Sequence, residues 1–170
     1  MRNISPDGKS LVPSVLDRLF DDEPETQREL EWTQGATANL IRESVGRDLQ
    51  CLLNARRMLS AAVERYPELA DSLVNYGLPD LQSYEVRGDR DRAGLLRIIE
   101  ETIRRFEPRL QQVRVTMQAQ GSALVDRKTG DRRLAFEIEA VLVVEPLNDP
   151  VVFSSTLDVS RGEFGVKATR

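Results

Sequence analysis

Apolar residues recur along this chain with two different periods, and one period gives way to the other at residues 107–109. In LLRIIEETIRRFEPRL (95–110), Leu95, Ile99, Ile103 and Phe106 are spaced four, four and three apart. That is the stripe of an amphipathic helix. Beyond it, Val113, Val115, Met117 and Ala119 alternate with polar residues, the period of a strand with one buried face. Pro108 disfavours helical backbone at Glu107 and cannot itself extend a helical hydrogen-bond ladder. Glu107-Pro108-Arg109 is therefore predicted at a helix-to-strand corner, with an acid and a base on either side of a rigid proline. On the residues alone this is a turn with two solvated charges.

The rest of the chain follows from the same patterns. Residues 1–10 show no periodicity. In PSVLDRLFDDEP (13–24), Val15, Leu16, Leu19 and Phe20 share one face of a short helix, with Ser14 placed to cap it and Pro24 to end it. So short a segment needs a surface to lie on. Residues 21–40 are acidic and then small and polar, a linker in which Trp32 either packs back or reaches a partner. The expected division is a 1–40 arm and a 41–170 domain.

A helix is predicted over 44–62, with Val45, Leu49, Leu52, Leu53 and Leu59 on one stripe and Ser44 at its N-cap. Cys51 lies opposite that stripe and Arg56 lies within it. A cation there needs a partner, and Glu107 is the expected one. Residues 63–94 read as a short helix followed by a loop, with a turn at Tyr76-Gly77-Leu78-Pro79. Neither phosphate-cradling glycine pattern is present. Strands are predicted near 110–119, 134–144, 151–159 and 163–167, and Pro146 and Pro150 are expected to bracket a loop. The class is α+β, with N-terminal helices packed on a C-terminal antiparallel β-meander of about four strands.

Composition narrows the function mainly by exclusion. The chain has 170 residues, 31% charged and 40% hydrophobic, with a net charge of −4. These values suit one folded domain and give no reason to expect nucleic acid. No apolar run is long enough to span a bilayer and no secretory leader is recognisable, so a cytoplasmic protein is expected. One cysteine and no histidine leave no disulfide within the chain, no ordinary metal site and no cofactor, and no nucleophile–histidine pair. Two carboxylates suffice for glycoside hydrolysis, but among 28 acidic residues no pair is marked out by its surroundings.

Four segments carry a resemblance in order and spacing: RDLQCLLNARR (47–57), NYGLPDL (75–81), IRRFEPRL (103–110) and LAFEIEAVL (134–142). Together they resemble the TssE family of type VI secretion baseplate proteins, relatives of the wedge and sheath-initiating protein of contractile phage tails. PSVLDRLFDDEP is similar to the N-terminal segment of TssE itself. Ala55 stands where the family often has threonine.

The resemblance implies a structural role without a reaction, in wedges with TssF, TssG and TssK, seeding the sheath of TssB and TssC at the inner face of the cell envelope. It implies no direct membrane insertion. It also implies that Glu107, Pro108 and Arg109 serve assembly, as a buried or interfacial charge pair rather than a solvated turn. Leu16, Leu19 and Phe20 join them as expected partner-binding residues, and Arg56 is the expected structural charge. The final hairpin, 151–167, is expected to offer an edge to a sheath subunit by strand addition. A lysozyme-like peptidoglycan hydrolase, an older label for the family, is the alternative.

Overall fold

The computed structural model describes residues 11–19, 34–57, 65–80, 89–118, 124–125, 132–159 and 161–169. Among the described residues, the α-helices α1 (Val15–Leu19), α2 (Gln34–Asn54) and α3 (Asp89–Phe106) precede the strands, with 3-10 turns at Pro67–Asp71 and Leu73–Asn75. The strands are β1 (Leu110–Met117), β2 (Leu124–Val125), β3 (Arg132–Val144), β4 (Leu147–Asp158) and β5 (Glu163–Ala168). They form an antiparallel sheet in the order β1-β3-β4-β5, with the two residues of β2 also paired to β3. The fold is α+β.

One apolar face of that sheet meets the helices. Register places Ile138 opposite Phe153, Ala140 opposite Val151 and Leu134 opposite Leu157, so alternate residues of both long strands project to the same side. All six are buried, as are Leu95, Ile99 and Ile103 of the α3 stripe. Burial of each large side chain stabilises the fold by about 1.5–3 kcal/mol. α3 lies against β1 and α2 against β5.

Helix α2 departs from expectation at both ends. It begins at Gln34, inside the stretch read as a linker, because Thr37, Ala38 and Ile41 extend its buried stripe backward. Ser44 is consequently buried within the helix rather than capping it. It ends at Asn54 instead of residue 62, because the backbone there finds another partner. Leu78 N–H donates to the Ala55 carbonyl at 3.0 Å, and Arg57 N–H donates to the Leu78 carbonyl at 2.9 Å. Gly77, at φ 103°, permits this approach, since a Cβ on it would collide with the Ala55 carbonyl.

The β3–β4 connection is also tighter than expected. Glu145-Pro146, joined by a cis peptide, makes the turn, and Pro150 sits inside β4 opposite Val141. Among the described residues, the β5 side of β4 is bonded no further than Val152, which accepts from Thr169 N–H, so Pro150 lies where that side carries no ladder bond and proline is tolerated. Phe20, Trp32, Leu59 and Ala119 lie outside the described residues.

Candidate assembly site

The corner is fixed first by its backbone. Glu107 N–H donates to the Ile103 carbonyl at 2.8 Å, the last helical bond of α3. Pro108 then ends the helix, and Leu110 N–H turns back to the Glu107 carbonyl at 3.1 Å. Val143 N–H donates to the Arg109 carbonyl at 2.8 Å, so the third residue of the corner is already tied to β3. Gln112, at φ 53°, accompanies a register break between Gln111 and Arg114, a bulge that re-aims the strand as it leaves the corner.

The side chains then close on one another. Glu107 is buried, and its two oxygens accept from Arg109 Nε and Nη2, each at 2.6 Å. This is a two-point carboxylate–guanidinium pair, stronger and more directional than a single contact. Arg109 Nη2 also donates to Asp48 Oδ2 of α2 at 2.5 Å. The Glu107 hydrogen bonds hold the Arg109 guanidinium well above its ordinary pKa, with Asp48 adding to them against the opposing effect of burial. Tyr76 packs edge-on against Phe106, with ring centroids 5.3 Å apart. Burial raises its phenol, and the charges of Cys51, Asp48 and Glu107 add to that. Three separate segments thus meet at residues 107–109. Both Glu107 oxygens are occupied by a cation, which fixes geometry rather than freeing a proton. Pro108 is exposed and Arg109 half-buried, so the rim of this cluster faces outward.

Arg56 is not part of it. The wheel reading required the helix to continue past residue 54. Since it does not, Arg56 is exposed and its Nη2 donates to the Gly162 carbonyl in the β4–β5 turn. Glu107 takes Arg109 instead. Cys51 is exposed.

The N-terminal segment also binds differently from its amphipathic reading. Leu11 and Pro13 are buried, whereas Val15, Leu16 and Leu19 are 65%, 68% and 73% exposed. Ser14 caps α1: Asp17 N–H donates to its Oγ at 3.1 Å, and that hydroxyl donates to Asp17 Oδ2 at 2.6 Å. Arg47 of α2 pairs with the same carboxylate. Burial alone would raise the Asp17 pKa, but hydrogen bonds from Ser14 and Ser44 together with Arg47 outweigh it and hold the carboxyl below its usual value.

Two polar features of the sheet edges were not anticipated from sequence. On β5, Phe164 N–H donates to Asn54 Oδ1, and Asn54 Nδ2 donates to the Phe164 carbonyl, both at 2.8 Å. On β1, Val115 N–H donates to Glu100 Oε1 at 2.8 Å and Arg104 Nη2 donates to the Val113 carbonyl at 2.5 Å. Helix side chains therefore occupy edge groups that would otherwise face open solvent. An open groove of about 480 Å³ lies beside the start of β5, lined by Gln50, Asn54, Arg56 and Arg161 among others. Among the described residues, no three acids or thiols gather as a metal site and no helix is long and apolar enough to cross a membrane.

Residues 40–147 match a protein-family model described as baseplate wedge protein gp25. The matched region contains the corner, the turn at residues 76–79 and all four segments that carry the sequence resemblance. No curated protein and no solved structure gives a significant match.

Proposed function

This chain belongs to the family of the baseplate wedge protein gp25, and from that premise we propose that it is a structural wedge component of a bacterial type VI secretion baseplate. In this reading it works in the cytoplasm at the inner face of the envelope. It joins TssF, TssG and TssK and helps start the TssB–TssC sheath. The observation that carries the proposal is the Glu107–Arg109–Asp48 cluster. A buried carboxylate, a two-point arginine and a second acid from α2 hold an exposed proline in one orientation. A surface held that rigidly loses little freedom on binding, which favours association.

Leu16 and Leu19, turned outward on a segment pinned by Asp17 and Arg47, supply apolar contacts suited to a partner's groove. The final hairpin supplies a sheet edge to which a sheath strand adds. No reaction is part of this role. The test is co-purification with the TssF–TssG wedge, comparing wild type with Glu107→Ala and Arg109→Ala. Both variants should recover less wedge. Full recovery with both would remove the corner from the contact. Clearing of a purified peptidoglycan suspension by the wild-type protein would overturn the non-enzymatic reading.

A further inference from the structure

The N-terminal segment is tied to α2 through one carboxylate, and that carboxylate has two roles. Of the α1 side chains described, Val15, Leu16 and Leu19 face outward, and only that of Asp17 is turned in, at 6% exposure. Within the segment Asp17 closes the helix cap. Its backbone N–H donates to Ser14 Oγ, and the Ser14 hydroxyl donates to its Oδ2. Across to α2 the same carboxylate accepts from the Arg47 guanidinium and the Ser44 hydroxyl. Ser44 and Arg47 are three residues apart and so share one side of α2. Ahead of α1 in the chain, Leu11 and Pro13 are buried.

These contacts make the segment a two-state element. A helix of five residues does not persist in water on its own, so α1 forms only while it is docked. The group that docks it also completes its cap, so docking and helix formation rise and fall together. A buried carboxylate left without its cation is costly. Glu107, held between α3 and β1, cannot escape that cost. Asp17 can, because lifting the segment off α2 returns the carboxylate to water. Loss of Arg47 therefore releases the segment rather than opening the sheet.

We propose that Ser44 and Arg47 are the positioning residues of a latch: by holding Asp17 they keep α1 helical and aim Leu16 and Leu19 at a partner that they do not themselves touch. The inference deepens the reading of Leu16 and Leu19 as partner contacts and rests on it. Residues three apart are neighbours on a helix but point to opposite sides of an extended chain. Only the latched segment therefore offers Leu16 and Leu19 as one surface. The apparent affinity for the partner then falls in proportion to the docked fraction. The Arg47 side chain is 62% exposed, so it can be changed without disturbing the buried stripe of α2.

Full-length variants test this, with co-purification of the TssF–TssG wedge set beside amide exchange of the purified protein. Arg47→Ala should lower protection of the Asp17 amide about tenfold, as loss of one charge-assisted hydrogen bond implies. It should lower wedge recovery several-fold as well, with the β3 and β4 amides protected as in wild type. Arg47→Lys keeps the cation and should restore most of both. Asp17→Asn should act in the same direction as Arg47→Ala. Leu16→Ala/Leu19→Ala should lose the wedge while the Asp17 amide stays protected.

If Leu16→Ala/Leu19→Ala recovers the wedge in full, the partner-contact reading fails and the latch has nothing to position. If that variant loses the wedge but Arg47→Ala recovers it in full, the reading stands and the latch is wrong. If Arg47→Ala loses the wedge with the Asp17 amide still protected, Arg47 meets the partner itself and positions nothing. Should Arg47→Ala fail to fold, Asp17→Asn decides by the same two measurements.

Discussion

Removing the two halves of the corner ion pair should have unequal costs, and the inequality follows from burial. The Glu107 side chain is 7% exposed and that of Arg109 31%. Arg109→Ala strands a buried carboxylate that had both oxygens engaged, a change that costs about 3–5 kcal/mol. Glu107→Ala strands only a half-buried guanidinium that keeps Asp48 and solvent, so it should cost about 1–3 kcal/mol. Asp48 is 51% exposed, and Asp48→Ala should cost about 0–1 kcal/mol. The double variant Glu107→Ala/Arg109→Ala should be less damaging than Arg109→Ala alone, because no buried charge is left unpaired. Urea unfolding followed by far-ultraviolet circular dichroism gives each value from the midpoint, provided the slope is unchanged. A reversed order, with Glu107→Ala the worse single change, would refute the burial argument. So would three single variants within 1 kcal/mol of wild type.

Three other changes test neighbouring parts of the fold. Gly77→Ala should destabilise by about 1–3 kcal/mol through its positive φ alone, with the collision against the Ala55 carbonyl adding to that; a melting temperature within error of wild type would contradict it. Gln112→Gly should stabilise by about 0.5–1 kcal/mol, because φ 53° suits glycine better than a residue with a Cβ; a urea midpoint below wild type would show that the glutamine side chain matters. The folded-state pKa of Asp17 lies below 3.8, so its contribution to anchoring α1 is fully present above that pH. The contribution is lost as pH falls through the folded value. Protection of the amides of residues 15–19 should therefore drop under acid before the sheet opens, and protection unchanged down to global unfolding would sink the idea.

The apolar code of the chain was the most legible part. Leu95, Ile99 and Ile103 are buried where the 3.6-residue period placed them, and β3 and β4 alternate as their sequences require. Pro108 marked the corner because proline acts on the backbone regardless of context. The polar partners were less legible, since each depends on where another segment ends. Arg56 sits on the apolar stripe only if α2 continues, and Leu78 capturing the backbone at Ala55 and Arg57 is a contact between distant segments. The Glu107–Arg109 pair was implied by the resemblance but was not legible in the residues alone. Two residues apart around a proline, the side chains meet only because the turn to Leu110 curls the chain back, as the bond from Leu110 N–H to the Glu107 carbonyl shows. For α1, apolar spacing identified a face, but spacing does not say whether that face packs inward or outward. Leu11 and Pro13, outside the periodic run, took the buried places.

Helix α2 explains why the polar contacts cluster as they do. Its apolar stripe, with Val45, Leu49, Leu52 and Leu53 buried, settles how the helix lies on the sheet. Once that is settled, its remaining faces have fixed directions. Arg47 points to the Asp17 carboxylate, Asp48 to Arg109 at the corner, and Asn54 to the outer groups of Phe164. Arg47 and Asp48, roughly 100° apart around the axis, and Asn54, about two turns beyond Arg47 along it, thus reach the N-terminal segment, the proposed wedge contact and the proposed strand edge. Read on a wheel, these residues are an undifferentiated polar face. Their separate tasks arise from what the sheet, α1 and the corner bring within reach. A substitution that rotates α2, such as a larger residue at buried Val45 or Leu49, should therefore disturb all three contacts together. Ala substitutions at Arg47, Asp48 or Asn54 should each disturb one. Comparing their amide-exchange maps would separate a helix that orients three sites from three sites that merely share a helix.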